Sequence, residues 1–133
     1  YDLCLIANTQ LIKNFNLQSD QDVLKHCDEL PWVEWDQHTY FTKEYFQRVF
    51  GKPCLIHPVL LANDFQCLIT AMKNSEGITT IPSYLYQHSN RISKIPNSRN
   101  NMPKSSIILV CKKNHLANYV HQACIKTLSN KNN

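Results

Sequence analysis

Glycine is nearly missing from this chain: 133 residues contain only Gly51 and Gly77. That scarcity excludes a phosphate cradle of the multi-glycine type, and neither GxGxxG nor GxxxxGK followed by Ser or Thr occurs. No Gly-x-Ser-x-Gly elbow marks a nucleophile, and no C-x-x-C pair marks a redox or zinc site. No run approaches the roughly eighteen apolar residues that a bilayer span needs. The opening residues have no basic stretch followed by an apolar one, so no secretory leader is visible. The first residue is Tyr1 rather than Met, and an excised fragment or a processed product is expected. Charge of one sign is also weak. Fourteen Lys and Arg against ten Asp and Glu give +4, and the cations are dispersed. Lys112, Lys113 and His115 are the nearest approach to a cluster, with Lys126 and Lys131 in the tail. Nucleic-acid binding wants a basic stripe with a reading element, and no helix-turn-helix pattern is present.

Six cysteines are there. Cys4, Cys54 and Cys111 lie in apolar, strand-like runs, and Cys67 and Cys124 on helical patterns. Such placement is expected of buried free thiols acting as small hydrophobes, which implies a reducing compartment, hence a cytoplasmic protein. Cys27 stands beside His26, the one close Cys-His pair. His115 and His121 are six apart and do not share a helix face. Zinc needs clustered ligands, so neither a metal nor another cofactor is expected. The carboxylates Asp28, Glu29, Glu34, Asp36, Glu44, Asp64 and Glu76 are expected at helix ends or exposed positions, serving as caps and for solubility. With no catalytic constellation visible, the chain is not expected to be an enzyme.

Periodicity organises the rest. At this length one domain can bury roughly two thirds of its unfolded surface. Leu3–Ala7 is strand-like, Thr9–Asn14 a short helix, and Ser19 with Asp22 resembles a capping arrangement that opens a helix to about Cys27. Pro31–Trp35 is a short strand. Thr39–Phe50 is an amphipathic helix with Phe41, Tyr45, Phe46, Val49 and Phe50 on one face, closed by Gly51. Cys54–Leu61 reads as a buried strand. Asn63 and Asp64 can cap a helix over 64–74 whose apolar face is Phe65, Leu68, Ile69 and Met72. Gly77 is expected in the left-handed closing position. Ile78–Ile81 is a strand, Ser83–His88 a short helix and Arg91–Ile95 an edge strand. Strand, helix and strand across 54–85 form a βαβ unit, which implies a parallel sheet with helices packed on it. Residues 97–104 form a polar linker, Ser105–Cys111 an apolar strand, and Leu116, Val120, Cys124 and Leu128 a helix stripe.

Several of these segments resemble one family. The stretch AMKNSEGITTIPSYL looks like the Gly-Ile-x-x-Ile-Pro segment in the regulatory domain of LysR-type transcriptional regulators. YDLCLIANTQLIKNFNLQSDQDVLKH resembles the strand that opens the second subdomain and its Ser-x-x-Asp helix start. LPWVEWD resembles the next strand, and SSIILVCKKNHLANYVHQACIKTL the last strand and helix. The resemblance implies an α/β, type II periplasmic-binding-protein-like open sheet with helices on both faces, with the first subdomain largely missing. Residues 1–98 would be the second subdomain, 99–104 a linker, 105–129 the return into the first subdomain and 130–133 a disordered tail. It implies a sensory domain for a small-molecule effector, in that family often anionic, reaching DNA only through an N-terminal domain absent here. It also implies a homo-oligomer with no membrane association. A solute-binding protein of the periplasmic class, which shares the two-lobed architecture, is the alternative.

Ligands of open α/β sheets bind beyond the carboxyl ends of the strands. That rule selects the loops after the second, third and fourth strands. Their candidate effector-binding residues are Trp35, Gln37, His38, Thr39 and Tyr40, then Asn63 and Asp64, then Ser83. Thr39 stands at a helix start, where free N–H groups favour an anion. Capping and core packing by the same side chains is the plainer alternative.

Overall fold

The computed structural model describes residues 2–35 and 40–99 of the chain, with Tyr40 as backbone alone. Five strands, β1 (Leu3–Asn8), β2 (Trp32–Trp35), β3 (Pro58–Ala62), β4 (Ile78–Pro82) and β5 (Ile92–Lys94), form one sheet in the order β3-β2-β4-β1-β5. Four α-helices connect them: α1 (Thr9–Phe15), α2 (Asp20–Lys25), α3 (Tyr40–Phe50) and α4 (Phe65–Asn74); a single 3₁₀ turn spans Ser83–Leu85. β2 runs parallel to β3 and β4, whereas β1 runs antiparallel to both β4 and β5. The fold is therefore α/β with a mixed open sheet. The expected parallel platform fails at β1. Leu5, Ile6 and Ala7 are all buried, and a strand buried on both faces reads the same in either direction. The βαβ unit is present, but β3 and β4 are not neighbours, because β2 lies between them.

Local chemistry sets the boundaries. The Asn8 side chain accepts from the Gln10 N–H at 2.9 Å, and Asn16, at φ 52°, closes α1. The Asp22 carboxylate accepts from the backbone N–H groups of Gln18 and Ser19 (2.9 and 3.2 Å), as the Ser-x-x-Asp spacing predicts. Gly51 closes α3 at φ 68°. Gly77 does not adopt a left-handed backbone; Gly51 is the one described glycine with positive φ. Space is the reason for Gly77: a Cβ there would lie 2.8 Å from Val33 Cγ2 and 2.9 Å from Met72 Sδ. The helix expected over 83–88 shrinks to its first three residues.

Helices cover both faces. On one, α1, α2 and α3 bury Leu5, Leu11, Val23, Trp32, Tyr45 and Phe46. On the other, α4 sets Leu68 and Met72 against Ile6, Val33 and Ile81. The apolar faces read from the sequence for α3 and α4 are the ones packed inward. Two further expectations fail on the packing. First, the buried strand over 54–61 begins only at Pro58, and its Val59, Leu60 and Leu61 are 67, 46 and 53% exposed. β3 is an edge strand of the described sheet, and an apolar run does not state what covers it. Second, not all cysteines are free. Cys27 and Cys54 are joined as a disulfide with Cα atoms 6.4 Å apart, a separation that bridging tolerates. Twenty-seven residues of sequence separate them, so only the packing of α2's end against the loop before β3 brings them together. This removes the argument for a reducing compartment. Cys4 is half-buried and free, and Cys67 is exposed and free.

At the end of the described chain, the Ser98 N–H donates to Asp20 Oδ1 at 2.9 Å. The strand, helix and tail expected beyond Arg99 lie outside the described residues.

Candidate functional site at the carboxyl edge

Parallel pairing brings the ends of β2, β3 and β4 to one edge. Trp35 stands in register with Ala62, and Leu3, the first residue of β1, faces Pro82 at the end of β4. β5 also runs toward this edge. The chain therefore enters the sheet, and leaves it, on the side where the parallel strands terminate.

The candidate residues have distinct fates there. Trp35 is half-buried, its ring centroid 5.9 Å from those of both Phe41, at the start of α3, and Phe65, at the start of α4. Asn63 is exposed. Asp64 is exposed and caps α4, accepting from the Cys67 N–H at 2.7 Å. That bond and a second from the Cys67 thiol hold its carboxyl below the usual range, and the same contact pushes the thiol up. Ser83 donates its hydroxyl to the Asp2 carbonyl at 2.9 Å, and its N–H donates to the same oxygen at 2.7 Å. Asp64 thus caps its own helix, and Ser83 ties the end of β4 to the residue before β1. Gln37, His38 and Thr39, and the side chain of Tyr40, lie outside the described residues.

Glu34 was expected at the surface and is instead 2% exposed within β2. Thr42 of α3 donates to its Oε1 at 2.7 Å and lies 3.0 Å from the Thr80 hydroxyl of β4. Burial pushes the Glu34 carboxyl up to about 7, opposed in part by the Thr42 bond. The missed signal is alternation: Trp32 and Glu34 are two apart in a strand, so a buried Trp32 implies a buried Glu34. A second buried acid, Asp20, accepts from the Tyr45 hydroxyl at 2.8 Å. Burial first, then Asp20, raises the phenol.

Behind the edge, between α4 and residues 85–92, opens a cleft of about 120 Å³. Ile6, Ile81 and Ile92, from three adjacent strands, form its floor, and Phe65 and Ile69 line one wall. The carboxyl-end rule selects the loops after β3 and β4, but Asn63, Asp64 and Ser83 are not among the residues that line this cleft. Its wall belongs to 85–92, whose irregular backbone has no periodic signature. Among the described residues no group of three or more His, Cys, Asp or Glu could hold a metal ion. No described helix is long and apolar enough to cross a membrane.

Neither a protein-family model nor a curated protein nor a solved structure matches this chain.

Proposed function

We propose that the chain is the ligand-sensing part of a LysR-type transcriptional regulator, with residues 1–98 forming one lobe of a type II periplasmic-binding-protein-like pair. The observation that carries this reading is the shared edge. The first strand enters, and the last described strand leaves, where β2, β3 and β4 end. A second lobe joined through those connections would face the strand tips across a cleft, where open α/β sheets take ligands. A small effector touching both lobes binds the closed arrangement better and shifts the population toward it. That shift couples to DNA through a separate N-terminal domain. Trp35, Asn63 and the loop that follows β2 are the effector contacts in this reading; Asp64 and Ser83 position them. The apolar, uncharged β3 edge supports self-association into a homo-oligomer. The reading assigns no catalytic role and no cofactor, and it places the protein in the cytoplasm.

The disulfide favours a second reading, a periplasmic-type solute-binding protein, because such bonds persist in oxidising compartments. Trapping thiols by alkylation at the moment of lysis separates the two. The regulator reading expects Cys27 and Cys54 to be labelled; the solute-binding reading expects them protected.

Thermal-shift titration with carboxylates and amino acids tests the site. At least one should raise the melting temperature, and Trp35→Ala should abolish that rise. A ligand whose effect survives Trp35→Ala would overturn the assignment.

A further inference from the structure

We propose that the cleft between α4 and residues 85–92 is a second binding site, for a small monocarboxylate with an apolar tail, independent of the strand-tip reading. Size comes first. At about 120 Å³, and at one water-sized probe per roughly 10–15 Å³, the cleft holds on the order of ten non-hydrogen atoms. Polarity comes second. Ile6 and Ile81 are fully buried and Ile92 nearly so, and they make a rigid apolar floor drawn from β1, β4 and β5. Such a floor with a few polar groups at the mouth is the usual construction of a small-molecule site.

Charge decides the headgroup. Lys73 and His88 line the cleft, with Gln66, Gln87 and Ser89 as further hydrogen-bonding groups. Among the described residues no Asp or Glu lines it. Lys73 sits in the last turn of α4 and forms no ion pair among the described residues. A cation without an acidic partner, beside a cleft whose floor is apolar and whose described lining holds no carboxylate, attracts an anion whose remainder is apolar.

The probe is hexanoate, with hexanamide as its neutral isostere, titrated into the full chain and followed by amide-resolved NMR. Hexanoate should shift Ile6, Ile69, Lys73 and Ile92 at millimolar concentration. Lys73→Gln, at an exposed position, should weaken hexanoate about fivefold, the size of one exposed ion pair, while leaving hexanamide unchanged. Ser89→Trp, which fills the mouth, should abolish binding of both. Shifts confined to the strand tips, no shifts, or equal affinity for acid and amide in the unsubstituted protein would each overturn the proposal.

Discussion

The two faces of the sheet are built differently. Among the described residues, the face under α1, α2 and α3 is covered by three helices. It carries the largest aromatics, the two buried carboxylates Asp20 and Glu34 with their hydroxyl partners, and the Cys27–Cys54 bond. Among the described residues, the face under α4 has one helix, a smaller cluster and the open cleft. One sheet can thus secure its fold on one side and leave room for a ligand on the other.

Core truncation should break this contrast most strongly. Phe46 is fully buried, 6.2 Å from the Trp32 ring and stacked on Phe50 at 5.7 Å. Phe46→Ala should cost about 4 kcal/mol in urea unfolding, whereas half-buried Ile69→Ala on the open face should cost about 1–2 kcal/mol. Equal losses would erase the distinction.

Next comes the disulfide. It closes a loop of 27 residues on the three-helix face. Cys27→Ser with Cys54→Ser should lower stability by about 3 kcal/mol under non-reducing conditions. A reductant should do the same to the unsubstituted chain and nothing to the variant.

Glu34 sharpens the comparison through pH. Its folded carboxyl titrates near 7, above its ordinary 4.5. Between those values the folded state keeps a proton that the unfolded state has lost. Stability therefore falls as pH rises through this window, by about 3 kcal/mol in all, and levels off above it. Glu34→Gln should remove that slope and be the more stable protein at pH 8. An unchanged slope would place the titrating group elsewhere.

Short apolar runs located β1, β2, β4 and β5, and one-sided burial wrote the inward faces of α3 and α4 into their spacing. These signals missed what spacing does not encode. Strand direction is silent in a doubly buried strand such as β1. The exposure of β3 depends on its place at the edge, not on its own residues. The Cys27–Cys54 bond depends on a tertiary approach. At the candidate site, the carboxyl-end rule reached Trp35, Asn63, Asp64 and Ser83, and capping propensity already put Asp64 at the start of α4, yet neither could tell that Ser83 is tied to Asp2. Lys73 and His88 escaped notice because they lie on different elements and meet only around the cleft.

The account's central claim is that the carboxyl edge is the ligand-facing edge of a lobe. Amide-resolved NMR of the full chain, with the metabolite that gives the largest thermal shift, tests this most directly. The account predicts perturbations clustered at residues 34–35, 62–65 and 82–84. Perturbations clustered at the opposite edge, around Asn8, Pro31 and Gly77, would contradict it.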